Sequence, residues 1–239
     1  MVKHGISVVV PAYNEEDAIK VCLDSLVAQK SKYPFEVVVV DNNSTDKTAK
    51  VVRSYADKLN LRLVTEKIKG RGAARARGFE EAKGDIIFST DADTTLPEKW
   101  VERFVDELTE DYVAVTGTCK IDDNVWYKNA IFNVFQPLSM DMYRIPMRHY
   151  WLSGFSFAIW RSAYIKAGKL DPTLNALDDV DLGIRVKNLG KIKFIRDLPV
   201  VISGRRFRKN FFWGIISYGK PFMDVAMHKK LNVYMDDIR

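Results

Sequence analysis

Short, strongly apolar runs recur through the first half of the sequence, and most of them are rich in β-branched residues. They read ISVVVPA, EVVVV, LRLV, DIIF and YVAVT, and helix-type patterns lie between them. Strands that are apolar on both faces are typical of a sheet that helices cover on both sides, and alternating strands and helices favour parallel pairing. The sequence therefore predicts an α/β fold with a mostly parallel, Rossmann-like sheet.

The intervening helices are predicted from apolar residues at helical spacing. The first contains Ile19, Cys22, Leu23 and Leu26; the second has an apolar face of Val52, Tyr55, Ala56 and Leu59; and a third is expected over about 72–82. Thr95 and Glu98 have the spacing of a capping box, which predicts that the next helix starts at Thr95.

Polar clusters follow three of the predicted strands. They are Tyr13-Asn14-Glu15, Asp41-Asn42-Asn43 and Asp91-Ala92-Asp93. In open α/β sheets, ligands bind in the crevice beyond the carboxyl ends of the strands. The three clusters are therefore expected to meet at one edge of the sheet and to line a site.

Asp91 and Asp93 directly follow the strand DIIF. If this segment is extended, side chains two residues apart share a face, and both carboxylates point at the same place. Close carboxylates repel each other unless a cation or donor lies between them, and Mg²⁺ or Mn²⁺ prefers oxygen ligands of this kind together with phosphates. The alternative is an Asx turn that ends the strand and leads into a helix.

Bulk composition sets the remaining bounds. A chain of 239 residues that is 47% hydrophobic can bury a core as a single domain, and a net charge of +6 suggests an anionic partner. Cys22 and Cys119 fit buried thiols in a reducing compartment. The first strand begins by Ile6, which leaves no room for a signal peptide, and the run FFWGIISYG is too short to span a bilayer. A cytoplasmic location is expected.

Two stretches carry clustered arginines. The first, KGRGAARARG, lacks the third small residue of a dinucleotide fingerprint and the Gly-Lys-Ser/Thr of a Walker loop, so it predicts a helix with guanidinium groups suited to phosphate or base contacts, unless its basic face is only solvated. The second, SGRRFRKNFFWG, could be a solubilising tail, a diphosphate clamp through Arg205 or Arg206, or a peripheral contact with a membrane surface.

The segment LDDVDLGIRV places three acids in the first turn of a predicted helix that continues to Leu189. Acids are common in a first turn because they favour the helix dipole. Three acids within four positions exceed what a cap requires, however, and a carboxylate here could serve as a general base for an attacking hydroxyl.

Six motifs together resemble those of family 2 inverting glycosyltransferases. They are VVVPAYNEE, VVVVDNNSTDKT, GRGAARARG, STDADTTLP, SGFSFAIWR and LDDVDLGIRV, in the family's order and spacing from residue 6 to about 190. The resemblance implies a GT-A fold, a nucleotide-diphosphate sugar as donor, with UDP favoured over GDP, and a divalent metal, Mn²⁺ or Mg²⁺. It implies one domain over 1–239, with a nucleotide-sugar half at 1–118, an acceptor and catalytic half at 119–202 and a basic aromatic tail at 203–239.

The same resemblance implies roles for individual residues. Asp179 would be the catalytic base and Asp93 the metal ligand, while Asp178 stands where the family usually has Glu. The nucleotide would be bound by a larger set: Pro11, Tyr13, Glu15, Asp41, Arg71, Arg75, Asp91, Arg205 and Arg206.

The sequence leaves several hypotheses open for the acceptor. A hydroxyl on a glycan or a lipid-linked sugar is expected, because a polyprenyl phosphate is already anionic and needs no general base. The aromatic segment 124–151 is either where that acceptor binds or part of a helical core. A polyprenyl-phosphate glycosyltransferase, a nucleotidyltransferase and a degenerate nucleotide- or glycan-binding module remain as alternatives. Nucleic acid is not expected as a partner, since three acidic clusters would meet its phosphates.

Overall fold

The computed structural model describes residues 4–122 and 125–205. Eight strands form one sheet: β1 Ile6–Ala12, β2 Glu36–Asp41, β3 Leu61–Thr65, β4 Ile86–Ser89, β5 Thr94–Thr95, β6 Tyr112–Asp122, β7 Phe157–Trp160 and β8 Lys191–Ser203. The helices are α1 Ile19–Val27, α2 Thr48–Arg53, α3 Arg71–Glu81, α4 Trp100–Glu107, α5 Trp126–Met147, α6 Arg161–Lys166 and α7 Asp178–Val186.

The sheet has the order β3-β2-β1-β4-β7-β6-β8-β5. β3, β2, β1 and β4 pair in parallel, as do β6 and β8. β7 runs antiparallel to both β4 and β6, and β5 runs antiparallel to β8. The predicted α/β sheet is confirmed. Each of its antiparallel pairs includes β7 or β8, the strands that the second half of the chain adds to the sheet.

Helices cover both faces, as the apolar strands indicated. Successive residues of β1 alternate between the two faces, so Val8 and Val10 pack in one core cluster and Val9 packs in the other. The first cluster takes its helical residues from α1, α2, α4 and α5, and the second takes them from α3, α6 and α7. Cys22 and Cys119 are both buried free thiols.

Two predicted helix boundaries are wrong. Thr95 does not start a helix, because Thr94 and Thr95 pair with Ile202 and Val201 of β8, and α4 begins only at Trp100. This long-range pairing overrides a local capping pattern. The second helix ends at Arg53, so Tyr55 packs into the core from a turn while Ala56 is exposed.

The aromatic segment 124–151 forms α5 over most of its length, and Pro137 and Pro146 lie inside that helix. Within the described ranges, no helix is both long enough and apolar enough to cross a bilayer. The predictions for the tail beyond residue 205, including Arg206 and the run FFWGIISYG, concern residues outside those ranges.

Helix α3 packs unusually closely against the sheet at Gly78. A Cβ at this position would lie 2.3 Å from Val9 Cγ1 and 3.0 Å from Val40 Cγ2, well inside van der Waals contact. This close approach fixes the distance of α3 from β1 and β2.

We predict that Gly78→Val destabilises the protein even though valine is a better helix former than glycine. Overpacking a dense core costs about 1–3 kcal/mol, which lowers Tm by roughly 2–12 °C in a chain of this size. Thermal unfolding followed by circular dichroism measures the change. Arg77→Val on the exposed side of the same helix is the matched control, and an equal loss in both variants would contradict the packing argument.

Candidate functional site

The carboxyl edge of the parallel strands gathers the predicted site residues from distant parts of the chain. Loops after β1, β2 and β4 start at this edge. β7 is antiparallel to β4, so the segment 153–156 that precedes it arrives at the same edge. Ionic contacts then bring in two further elements. Arg75 of α3 pairs with Asp91 and with Asp178 at the start of α7, and Arg205, which follows β8, pairs with Asp93.

Asp91 and Asp93 lie in a turn, so the extended conformation from which converging carboxylates were predicted is wrong. The N–H of Thr94 donates to the carbonyl of Asp91 at 3.2 Å, which closes the turn. Asp91 then accepts a hydrogen bond from Arg75 at 2.9 Å, whereas Asp93 accepts one from Arg205 at 2.8 Å. Each carboxylate is held by its own guanidinium.

Arg75 is the most deeply buried charge of the site, with only 2% of its surface exposed. Its Nη1 donates to Asp178 Oδ2 at 2.6 Å, and its Nη2 donates to Asp91 Oδ1 at 2.9 Å. Burial by itself lowers the pKa of Arg75, but the charges of Asp178, Asp91 and Asp179 outweigh that effect and hold the pKa above its ordinary value. Arg75 thereby ties α3 to α7 and to the turn after β4.

Asp179 is partly buried beside that ion pair and accepts two backbone hydrogen bonds. The N–H of Gly154 donates to Oδ2 at 2.6 Å, and the N–H of Val180 donates to Oδ1 at 2.9 Å. Burial, followed by repulsion from Asp178, raises the pKa of Asp179 to about 6, against the opposing effect of Arg75 and the two backbone donors. A carboxylate with a pKa near neutrality and a fixed orientation is suited to accept a proton.

Gly154 was not identified as a site residue from the sequence. A Cβ here would lie 2.7 Å from Arg75 Nη2 and 2.9 Å from Asp179 Oδ2. Only glycine lets both side chains come this close to the backbone at position 154. Its loop is held by Ser89 of β4, which donates to the Gly154 carbonyl at 2.7 Å. The motif SGFSF is the only sequence signal that could have pointed to it.

Arg205 lies on the other side of the acidic turn. One of its nitrogens donates to both carboxylate oxygens of Glu15, at 3.0 and 2.9 Å, and also to Asp93. Burial lowers the pKa of Arg205, but the hydrogen bonds that it donates to Glu15 and Asp93 outweigh this effect, so the net shift of the pKa is upward. Glu15 is only 4% exposed, so its carboxylate lies against the core with this guanidinium as a cationic partner.

Asn42 is a second residue that sequence reasoning did not assign a role. Its side chain donates to the carbonyls of Glu66 and Ile68 at 2.9 and 2.7 Å and accepts from the N–H of Gly70 at 2.9 Å. These bonds fix the loop that leads into α3. Asn42 therefore sets the position of Arg71 at the start of that helix.

The other predicted residues are placed as follows. Pro11 is buried in β1 opposite Val40, beyond the last β1–β4 pair at Val9, where its missing N–H leaves no gap in that ladder. Tyr13 is partly buried just after β1, and Asp41 accepts from the N–H of Ser44 at 3.2 Å at the end of β2.

The acidic side chains of the site could bind a divalent cation only together with ligands from outside the protein. Across residues 4–122 and 125–205, no three Asp, Glu, His or Cys side chains come together as a metal cage. Asp93 is a partly exposed carboxylate, and Mg²⁺-type ions commonly take one or two protein carboxylates and complete their shell with phosphates and water. Asp93 can therefore hold such an ion together with a bound diphosphate.

We predict that Arg75→Met lowers stability by about 3–5 kcal/mol, because it leaves the buried carboxylate of Asp178 without its partner. That loss corresponds to a Tm decrease of roughly 6–20 °C. The double variant Arg75→Met/Asp178→Leu removes both charges and should recover most of the loss. Arg77→Met, two residues along the same helix, should change stability by less than about 0.5 kcal/mol. A double variant no more stable than Arg75→Met would contradict the ion-pair explanation.

The chain is similar in sequence to known glycosyltransferases. The profile of glycosyl transferase family 2 covers residues 7–169. The probable glycosyltransferase YdaM of Bacillus subtilis is 32% identical over 213 residues, or 83% of this chain and 50% of its own length. An undecaprenyl-phosphate 4-deoxy-4-formamido-L-arabinose transferase of Edwardsiella ictaluri is 29% identical over 168 residues, covering 68% of this chain and 50% of that protein.

The fold has a solved counterpart. The mannosyltransferase PcManGT of Pyrobaculum calidifontis, determined in complex with GDP-Man and Mn²⁺, superposes with a TM-score of 0.72 at 23% identity, over 99% of this chain and 67% of that one. The chain spans half or less of the length of the curated relatives it matches. The superposition shows a GT-A-type fold. The profile, which matches more than half of the chain, shows that the chain belongs to glycosyl transferase family 2.

Proposed function

We propose that the chain transfers a sugar from a nucleotide-diphosphate sugar to a hydroxyl acceptor, with inversion at the anomeric carbon. The observation that carries this proposal is Asp179: an oriented carboxylate with a pKa of about 6 at the carboxyl edge of the sheet, beside a network of fixed charges. The family to which the chain belongs supplies the reaction class.

Asp179 acts as the general base. With a pKa near 6 it is mostly ionised at neutral pH, and its backbone hydrogen bonds fix the direction in which its oxygens face. It takes the proton of the acceptor hydroxyl as that oxygen forms a bond to the anomeric carbon. The bond from the anomeric carbon to the diphosphate oxygen breaks on the opposite side, and the diphosphate leaves with the electron pair.

The donor is proposed to bind along the loops after β1, β2 and β4. Pro11, Tyr13 and Glu15 line the nucleoside side, Asp41 accepts from the base, and Asp91 meets the ribose while Arg75 fixes its carboxylate. Arg71 lies near the nucleotide at the start of α3. The printed title of PcManGT, with GDP-Man bound, supports a nucleotide-diphosphate sugar in this fold, while the base, predicted as uracil, is left to experiment.

The diphosphate is proposed to lie between Asp93 and Arg205. A divalent cation held by Asp93 would neutralise the departing diphosphate. Arg205 already contacts Asp93 and is placed to donate to phosphate oxygens, and Arg206 is proposed as its neighbour in that role. These two contributions stabilise charge that develops on the leaving group.

One specific alternative concerns the acceptor. The Edwardsiella ictaluri relative is named for undecaprenyl phosphate, an acceptor that is itself anionic. A phosphate acceptor also titrates near pH 6, so the acid limb of a pH profile does not separate it from a hydroxyl acceptor. Replacement of Asp179 does separate the two acceptors, because only a hydroxyl acceptor must lose a proton to a protein group.

We predict that Asp179→Asn lowers kcat by about 10²–10⁴, the contribution expected of a general base, while nucleotide affinity stays within a few fold. In the wild type, kcat should fall as the pH drops below about 6, because the raised pKa of Asp179 means that its protonated, inactive form accumulates there. Donor turnover in a diphosphate-release assay measures both effects. Asp181→Asn, in the same helical turn, is the matched control.

A loss smaller than tenfold in Asp179→Asn would reject the general-base role. Together with faster transfer to a polyprenyl phosphate than to sugar hydroxyls, that outcome would establish the phosphate-acceptor alternative. Intact nucleotide binding without any transfer would instead indicate a binding module.

We predict that UDP or GDP raises Tm only when Mn²⁺ is present, and that Asp93→Ala abolishes the metal-dependent part of the shift. Ligand at 100 times its Kd adds about 2.7 kcal/mol, which corresponds to roughly 5–11 °C here. Thermal unfolding with each nucleotide, in Mn²⁺ and in chelator, makes the measurement. Asp57→Ala removes an exposed acid elsewhere and should leave the shift unchanged. A Mn²⁺-dependent shift that survives Asp93→Ala would show that the metal binds elsewhere.

A further inference from the structure

Helix α5 presents a continuous apolar stripe to solvent. The stripe consists of side chains spaced three or four residues apart along one face: Tyr127, Ile131, Val134, Leu138, Met142 and Ile145. Val134 is 69% exposed and Ile145 is 79% exposed. A helix of 22 residues is about 33 Å long, so the stripe runs nearly the width of a small domain.

This exposure is concentrated, which distinguishes it from the scattered apolar residues of an ordinary surface. Eight of the thirteen large apolar side chains found exposed in the described residues lie on α5, where Trp126 and Phe135 flank the stripe. Large contiguous apolar patches on soluble proteins mark surfaces that contact something. A helical core, one of the two predictions for this segment, explains only the apolar residues on the opposite, buried face of α5.

The charges around the stripe favour an anionic, amphipathic surface. The one acid on α5, Asp141, is ion-paired with Arg196. Arg144 and Arg148 are exposed at the C-terminal end of the helix, and Trp126 is 80% exposed at its start. Trp and Tyr favour the boundary between water and acyl chains, and arginines beside an apolar helix face attract anionic headgroups.

The buried face of the same helix reaches the candidate site. Met140 and Tyr143 pack in one cluster with Leu177 and Val180, the residues on either side of Asp178 and Asp179. The ring of Tyr143 meets that of Trp151 edge to face at 5.1 Å between centroids. A surface bound by the outer face of α5 therefore lies across this helix from the residues that flank the carboxylate proposed as the base.

We propose that α5 lies in the headgroup region of an anionic membrane, with its apolar stripe against the acyl chains. The interaction places the acceptor side of the site at the bilayer surface, so the acceptor is a lipid-linked molecule rather than a free glycan. The part of the proposal that concerns the acceptor rests on the proposed function, whereas the membrane contact stands on the stripe and its charges.

The test is flotation of the full-length chain with vesicles, carried out without nucleotide or metal. The protein should bind vesicles of phosphatidylglycerol and phosphatidylcholine, and at least tenfold more weakly vesicles of phosphatidylcholine alone. The variant Val134→Gln/Leu138→Gln/Ile145→Gln should bind at least tenfold more weakly than wild type. The control Val21→Gln/Ile68→Gln/Ile165→Gln changes three exposed apolar residues elsewhere and should bind within twofold of wild type.

A second measurement reports the depth of the helix. Phosphatidylcholine brominated on its acyl chains, mixed into the anionic vesicles, should quench part of the tryptophan fluorescence, and Trp126→Phe should remove a measurable share of that quenching. Quenching identical in Trp126→Phe and wild type would overturn the placement of α5.

Two other outcomes would also reject the proposal. Vesicle binding unaffected by the α5 variant would assign the contact to another surface. Failure to bind vesicles, combined with a wild-type dimer that the α5 variant converts to a monomer in light scattering, would assign the stripe to a second copy of the chain. Since no nucleotide is present in these experiments, they can fail while the nucleotide-binding predictions hold, and the reverse is also true.

Discussion

The buried guanidinium of Arg75 is the interaction on which the site depends. It joins α3, α7 and the turn after β4 through Asp178 and Asp91, in surroundings where an unpaired charge is very costly. All three elements must therefore occupy their positions together. Gly78 sets the distance of α3 from the sheet and Gly154 leaves room for the guanidinium, so two positions without side chains determine where this charge can lie.

The same arrangement explains the unusual pKa of Asp179. Burial of the carboxyl group is the main cause of the raised pKa, and repulsion from the nearby charge of Asp178 adds to it. The backbone N–H groups of Gly154 and Val180 limit the upward shift and fix the orientation of the carboxylate. Because the pKa of Asp179 is raised from its ordinary value of 3.8 to about 6, the group lowers the stability of the fold as the pH rises from about 4 to 6, where the folded state must carry a charge that burial disfavours. Functional sites commonly retain such groups.

Helix α5 connects this chemistry to the surface of the molecule. Its inner face packs beside the residues that flank Asp179, while its outer face is apolar and bordered by arginines. The aromatic composition of residues 124–151 allowed both an acceptor site and a helical core, since composition does not tell which side of a helix is covered. The structure shows which face is covered: Phe132 and Met140 are buried in the core, and the stripe from Tyr127 to Ile145 is exposed.

The sequence by itself determined the alternation of strands and helices, the covering of both sheet faces and the meeting of three polar clusters at one edge, because each follows from local periodicity and from the rule that parallel strands end together. It also pointed to the three acids in the first turn of α7. Tertiary structure alone decided the pairings between distant residues: β5 with β8 instead of a helix at Thr95, separate arginines for Asp91 and Asp93, and the burial of Arg75 among carboxylates. Such contacts join residues far apart in the chain, and no local pattern encodes which partner lies across the site.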